Sequence, residues 1–477
     1  MSTLKQQTFS GILWSAIERF SVQGIQFILS FVIARQLLPS DYGLMAMLII
    51  FMAISQCFVD SGFSNALIQK QNRTQIDFST VFYFNIAIGF SIYLLLVLCV
   101  PFIASFYDQP LLKDLIPWVG LNVIINSFAV VQRAILTINL DFRKQAVASL
   151  YAVSISGAIA IYLAFHGYGV WTLVVQGLLN TCINTLNLWL MSKWKPSFCF
   201  SKRSFRDLFS FGSKLMIGSF LHTIYTNLYT LVIGKYFTVN ELGLYSKAST
   251  LSQFPSNNVS EILYRVFYPV LCKLQNETLI LVDKFYLFIR LTAFIVFPLM
   301  IGLAVVAEPL VSIVLTEKWL GAVPYIQILC FAYMWYPIMK ISWSILNVKH
   351  RSDYSLKSEI IKKAIAFIIL LATIPLGIKA MCYGLVLYSL ADIFIILQFT
   401  RLVLYDITIY NHLKQLFPSL LISIIMGVFV WWWIHLMDNT SIQLFGGILI
   451  GCVTYIILSY LLNKRDFNHI ILLIKKR

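Results

Sequence analysis

The sequence predicts an all-α integral membrane protein of about fourteen transmembrane helices. Its composition, its run lengths and its charge distribution carry that prediction. Of 477 residues, 59% are hydrophobic and only 12% are charged, against about 25% charged in ordinary globular domains. A chain this apolar cannot cover its own surface in water. Apolar runs near 20 residues recur from end to end, each long enough to cross roughly 30 Å of hydrocarbon as a helix. The alternating ten-residue segments of a closed barrel are absent. Backbone groups in lipid must be satisfied within their own segment, so the runs are read as helices.

The first six spans are placed near residues 9–37, 43–66, 79–106, 115–138, 145–165 and 170–191. The next six fall near 207–236, 243–270, 284–307, 321–346, 362–378 and 380–401, and the last two near 414–436 and 442–463. The span at 362–378 is short and contains Pro375. No small-residue cleavage site follows the first span, which is read as retained.

An even number of crossings puts both termini on one side, together with the even-numbered connections. Twenty-four Lys and Arg fall there, among them Arg143, Lys144, Lys193, Lys202, Arg206, Lys349, Arg351 and the tail from Lys464 to Arg477. Only Arg35, Lys113, Lys235, Lys318 and Lys379 fall on the other. Such a bias marks the richer side as cytoplasmic. The chain is therefore expected to be a multi-pass protein of the bacterial inner membrane with both termini inside. The net charge of +16 is spread over short connections with no compact basic domain. It is read as topology and attraction to anionic headgroups, not as nucleic-acid binding. The eight cysteines are scattered without a C-x-x-C pair; they imply neither a disulfide framework nor a metal site.

One internal offset is informative. Val32-Ile33-Ala34-Arg35 recurs as Val232-Ile233-Gly234-Lys235, and Asp41-Tyr42-Gly43-Leu44 as Glu241-Leu242-Gly243-Leu244, both 200 residues on. A further echo relates Asn139-Leu140-Asp141-Phe142-Arg143 to Asn347-Val348-Lys349-His350-Arg351. Six spans separate equivalent points, so both copies cross in the same sense. Parallel repeats of this kind define two bundles that rock about a central site. The expected organisation is a six-helix bundle over 1–200, a second over 201–408, and two additional helices with a basic cytoplasmic tail over 409–477.

Polar residues inside the spans are the functional signal. Ser15, Arg19, Gln23, Gln26 and Ser30 share one face of the first helix. Asn122, Asn126 and Arg133 form a similar stripe in the fourth span, and Gln176, Asn180, Asn184 and Asn187 in the sixth. Ser219, His222 (or Thr223), Thr226 and Thr230 do so in the seventh, with Lys214 below them. Polar faces are costly against lipid, so these look at other helices or at a wet cavity. Arg19 lies ten residues after Phe9, roughly 15 Å deep at the helical rise, too far to reach the interface comfortably. Arg290 and Lys340 sit nearer cytoplasmic ends and are read as snorkelling. An excess of Arg and Lys suits an anionic substrate, because guanidinium pairs bidentately with phosphate oxygens. Glu18, Asp60, Glu261 and Asp392 are the deep acids; each either carries a coupling proton or sodium ion or pairs with a cation. No P-loop, H-E-x-x-H, G-x-S-x-G or D-x-D motif is present, so neither an enzyme nor a cofactor is expected.

The opening Gly11-Ile12-Leu13-Trp14-Ser15…Glu18-Arg19…Gln23…Phe27…Ala34-Arg35-x-Leu37-x-Pro39-x-Asp41-Tyr42-Gly43-Leu44 resembles the polysaccharide-export branch of the Wzx-type flippases. The resemblance continues through Asp60-Ser61-Gly62-Phe63 and Ala66-Leu67-Ile68-Gln69. It is densest over residues 10–70. These flippases belong to the multidrug/oligosaccharidyl-lipid/polysaccharide exporter superfamily, built from two six-helix bundles. The resemblance implies alternating access that moves undecaprenyl-pyrophosphate-linked oligosaccharides outward for surface polysaccharide biosynthesis, lipopolysaccharide included. Its partners would be the lipid-linked glycan, membrane lipids, a coupling H+ or Na+, and glycan-assembly proteins. In the related lipid II flippase an extra helix pair forms a groove for the lipid tail, and Gly447-x-x-x-Gly451 permits close packing of that pair here. The alternatives are a drug/cation antiporter of the same fold, which would prefer acids over Arg in its cavity, and a membrane glycan polymerase, which usually carries a large external loop.

Overall fold

The computed structural model describes the backbone of residues 4–60 and 62–468, with the side chains of Trp14 and of residues 21–60, 62–210 and 212–468. Packing divides the chain into two compact units, Met1–Gly243 and Leu244–Arg477. The first contains α1 (Leu4–Gln36), α2 (Pro39–Asp60), α3 (Phe63–Gln69), α4 (Gln75–Leu98), α5 (Val100–Tyr107), α6 (Leu112–Ser127), α7 (Val130–Ile138), α8 (Phe142–Phe165), α9 (Val170–Ser192) and α10 (Lys202–Tyr236). α11 (Val239–Lys273) begins in the last residues of the first unit and continues into the second. There follow α12 (Thr278–Val305), α13 (Ala307–Val314), α14 (Val323–Tyr333), α15 (Tyr336–Val348), α16 (Ser352–Thr373), α17 (Ile378–Val403), α18 (Ile409–Leu436) and α19 (Thr440–Leu462).

Among the described residues there is no strand, and nine helical segments are long and apolar enough to cross a membrane. The protein is a multi-pass membrane protein. Five further helices, α1, α9, α10, α11 and α16, have 33, 23, 35, 35 and 22 residues. These five are not among the nine. The span expected at 362–378 differs most from its expected bounds. Its helix begins ten residues earlier, at Ser352, and Pro375 lies beyond its end in a 3₁₀ turn, Ile374–Leu376.

Helix starts follow side chains able to cap them. Thr74 and Asp77 form a reciprocal capping box on α4, while Asp141, Ser201, Thr408 and Asn439 cap α8, α10, α18 and α19. Two local devices recur along the chain. The Asp41 carboxylate accepts the Leu38 N–H at 2.9 Å, and 200 residues later Glu241 accepts that of Thr238 at 3.1 Å. Leu140 and His350, 210 residues apart, both take φ 54°. In each turn the next N–H reaches back five residues, Asp141 to Leu136 and Arg351 to Leu346.

In the first unit Leu29 and Ile33 of α1, with Leu37 just beyond its end, pack on Val153, Ala160 and Ala164 of α8. A second cluster joins Phe63, Phe82 and Leu208, with Trp189, Trp194 and Phe205 against it. The segment between α9 and α10 is tied to α4 by side chains. Trp194 donates to Gln75 at 2.7 Å, Gln75 to the Lys195 carbonyl at 2.7 Å, and the Ser201 N–H to Thr80 at 3.1 Å. These ties keep α10 with the first unit, so the packing division at Gly243 lies one long helix beyond the repeat boundary near residue 200.

In the second unit α18 packs on α12 and α19 through Ile301, Met426, Val430 and Tyr455. Gly447 and Gly451 meet Val430 closely: a methyl group on Gly451 would lie 3.2 Å from it. The α18–α19 pair thus uses the small-residue spacing for close approach. Arg290 does not snorkel. It is buried, donating to Asp466 at 2.9 Å and to Gln415 at 2.8 Å. This corrects the sequence reading, and the reason is a carboxylate 176 residues away. Lys340 likewise ends on Glu261.

Candidate functional site: a polar cavity in the first unit

α2 carries Gln56 and Asp60 one turn apart, hence on one face. The Gln56 amide donates to the Asp60 carboxylate at 3.1 Å. α2 ends there, and the chain turns at Gly62, whose φ of 66° suits glycine. The turn also needs glycine for space, since a methyl group at Gly62 would sit 2.8 Å from the Gly212 Cα of α10. α7 supplies Arg133, and α10 supplies Ser219 and Thr223. Cys57 and Thr223 close one wall, with sulfur and hydroxyl 3.1 Å apart.

These elements enclose a cavity of about 510 Å³, lined also by Ser64, Asn65, Leu215 and Met216. Asp60 and Arg133 interact electrostatically across it. Among the described residues, the Arg133 guanidinium has no hydrogen-bond partner, and it is exposed to the cavity. Five guanidinium N–H donors thus remain available to a ligand, beside an acid and three hydroxyl groups. A guanidinium inside a membrane protein is expensive unless a counter-charge, water or an anion receives it.

Of the residues singled out from sequence, Asp60, Arg133, Ser219 and Thr223 line this cavity together. Lys214 and His222 are exposed on α10, each beside a lining residue, Leu215 and Thr223 respectively. Asn122, Asn126, Asn180 and Asn184 do not line it. They are half-buried on α6 and α9, which pack together with Thr185 and Trp189 donating to the Ile125 and Phe128 carbonyls. Asn122 donates within its own helix at 3.0 Å, and its side-chain oxygen, like those of Asn180 and Asn184, is buried without a hydrogen bond. Gln23 is half-buried with its oxygen also unpartnered, and Gln26 is exposed. The side chains of Glu18 and Arg19 lie outside the described residues. Glu261 is paired with Lys340, and Asp392 lies 3.2 Å from Lys362 in a buried pair. Gln56 and Cys57 were missed from sequence. The i,i+4 relation of Gln56 to Asp60 was their one available signal.

The helix order and the polar cavity are those of a polytopic membrane protein of the transporter class. In fold the chain is similar to the lipid II flippase MurJ in its inward closed conformation, with TM-score 0.77, 16% identity, and 94% of this chain and 98% of that one covered. It is also similar to an inward-facing multidrug resistance MATE family transporter of the MOP superfamily, with TM-score 0.62, 14% identity, and 83% and 98% covered. Residues 32–324 match the family described as "Polysaccharide biosynthesis protein", and the chain belongs to that family. Among relatives, the lipopolysaccharide biosynthesis protein WzxC of Escherichia coli (strain K12) is 26% identical, covering 76% of this chain and 74% of its own. The teichuronic acid biosynthesis protein TuaB of Bacillus subtilis (strain 168) is 25% identical, covering 74% of each. The succinoglycan biosynthesis transport protein ExoT of Rhizobium meliloti (strain 1021) is 26% identical, covering 67% of this chain and 65% of its own.

Proposed function

We propose that the protein is a flippase that translocates lipid-linked oligosaccharide units across the membrane for surface polysaccharide biosynthesis. It is a transporter and not an enzyme. The observation that carries this reading is Arg133, which reaches into the cavity beside Asp60 with no hydrogen-bond partner among the described residues. A cavity at membrane depth with a free guanidinium suits a pyrophosphate headgroup. The names of WzxC, TuaB and ExoT support the glycan part of the reading, since each is a polysaccharide biosynthesis or transport protein.

In this reading the five more polar long helices join the nine apolar segments to give fourteen crossings. Both termini are cytoplasmic in the bacterial inner membrane, as the basic-residue bias requires. Two repeat-related bundles alternate access, and the undecaprenyl chain stays in lipid while Arg133, with Lys214 and Arg19, draws in the pyrophosphate or acidic sugars. A proton or sodium ion couples the cycle, with Asp60 the acid best placed to exchange a proton as Arg133 engages an anion. Glycan-assembly proteins supply and receive the substrate.

Proteoliposomes carrying a fluorescent undecaprenyl-pyrophosphate-linked disaccharide test this reading. The purified protein moves the headgroup across without ATP, and Arg133→Ala does not. Accumulation of a cationic dye, with no movement of the lipid-linked sugar, would make the drug/cation antiporter correct instead, a reading that the acid Asp60 favours.

A further inference from the structure

The second unit holds its own charged and aromatic cluster. Glu261 and Lys340, from α11 and α15, form a direct ion pair. The Lys340 ammonium lies 4.9 Å from the centroid of the Tyr264 ring, and Tyr264 stacks on Tyr268 with centroids 5.0 Å apart and planes inclined by 12°. Lys340, Tyr264 and Tyr268 thus form a continuous stack along one face of α11. Tyr336, exposed and one turn before Lys340, shares that face of α15.

The pair is not sealed in a core. The Glu261 side chain is 35% exposed and that of Lys340 18%, and Asn257 and Arg265 are exposed on the same helix. An ion pair this accessible is costly against lipid, so its surface faces water or a polar ligand. The cluster also echoes the first unit. The 200-residue offset puts Glu261 one position from the counterpart of Asp60, and the 210-residue offset puts Lys340 one helical turn from that of Arg133. The aromatic stack has no equivalent in the lining of the first cavity, where the polar groups stand beside Leu215 and Met216.

We propose that Glu261, Lys340, Tyr264 and Tyr268 form a saccharide-binding site. The chemistry of each group fits a pyranose. The Tyr264–Tyr268 stack offers the ring surface at its outer end to the C–H side of a sugar ring. A carboxylate accepts two neighbouring hydroxyls and an ammonium donates to a third, and these bonds are charge-assisted. Because the acid and the base neutralise one another, the site selects hydroxyl geometry over charge. It differs in this from Arg133, whose guanidinium selects an anion. A few directed polar groups among aromatic rings are the usual make-up of a small-molecule site. The proposal rests on the chain being a glycan carrier, and it adds that the sugar, not only the pyrophosphate, is recognised.

The test is saturation-transfer NMR on the full chain in detergent micelles, with maltotriose, chitotriose and a glucuronate-containing disaccharide as soluble probes. At least one probe receives saturation on its ring C–H protons. Tyr264→Ala weakens that probe by roughly tenfold, a change readily separated by titration, while Tyr264→Phe keeps it and Glu261→Gln weakens it. Absence of transfer to all three probes, or transfer unaltered by Tyr264→Ala and Tyr268→Ala, overturns the proposal. Equal loss in Tyr264→Phe and Tyr264→Ala overturns it too, because the ring that Phe keeps would then contribute nothing. The glycan-carrier reading fails separately, through the proteoliposome assay.

Discussion

Gly243 packs so tightly on the start of α2 that a methyl group on it would lie 3.0 Å from the Gly43 nitrogen and overlap the Pro39 carbonyl oxygen. The relation is reciprocal, because a methyl group on Gly43 would overlap the Val239 carbonyl oxygen. The two glycines are the paired residues of the 200-residue repeat. Side chains of any size are excluded on both sides, so this crossing is set by backbone against backbone. Lys235 reinforces it nearby, donating to the Phe106 carbonyl at 2.6 Å and lying 3.6 Å from Asp108.

Gly243→Ala is therefore expected to open this crossing. Overpacking costs about 1–3 kcal/mol, and a backbone carbonyl cannot rotate aside as a side-chain tip can. Spin labels at exposed Leu38 and Thr238 report the separation of the two helix starts. The parent shows a narrow short-distance population; the alanine variant shifts it to longer distances at an unchanged expression level. An unchanged distribution would mean that the crossing relaxes by sliding.

A second expectation concerns the buried Arg290–Asp466 pair. Removing one partner of such a pair costs about 3–5 kcal/mol, because the other charge is left uncompensated. Asp466→Ala should therefore lower the apparent melting temperature of the detergent-solubilised protein by several degrees. Arg290→Met together with Asp466→Leu should recover most of the loss, since an apolar pair of similar volume replaces the ions. No recovery would assign the effect to the packing of Asp466 beneath the end of α19 rather than to charge.

Lys362 separates structural from coupling roles among the deep acids. It bridges Glu359 on its own helix and Asp392 on α17. If Asp392 serves as its counter-ion, Lys362→Met lowers protein yield, and adding Asp392→Asn restores yield with transport intact. Normal yield in the double variant, with transport no longer responding to an imposed pH gradient, would give Asp392 the coupling role instead.

What was legible in the sequence was set by range. Helices form from local patterns, so apolar runs located them, and the shared Gly43 and Gly243 exposed the repeat that the Asp41 and Glu241 caps reproduce. Asp60 and Arg133 were visible as charges at membrane depth. Arg290 was misread because its partner, Asp466, belongs to the chain beyond α19, and no window on α12 contains it. The start of α16 was hidden by Glu359, Lys362 and Lys363, charges that make the segment look like a loop until Asp392 is seen to receive one of them. The Asn stripes of α6 and α9 have the composition of a cavity wall, yet helix–helix contacts use the same residue types. Only the packing of Thr185 and Trp189 on the α6 carbonyls separates the two uses.

Arg133 carries the sharpest expectation. Arg133→Ala should abolish headgroup translocation, with the protein still inserted, because the residue has no hydrogen-bond partner among the described residues whose loss would unfold the unit. Arg133→Lys should retain part of the activity, since an ammonium keeps the charge but loses the planar fork that grips two phosphate oxygens. Asp60→Asn removes the opposing charge while keeping an acceptor for Gln56. It should tighten binding of undecaprenyl pyrophosphate and slow its release, so that single-round loading rises while steady-state export falls. The competing account makes Asp60 and Arg133 a structural pair. It requires either single variant to lower stability and the charge-neutral double variant, Asp60→Asn with Arg133→Gln, to restore both stability and export. Binding of undecaprenyl pyrophosphate to nanodisc-embedded protein decides between them. Affinity lost in Arg133→Ala and in the double variant, with the melting temperature unchanged, supports the anion site. Export at the parental rate from the double variant rules it out.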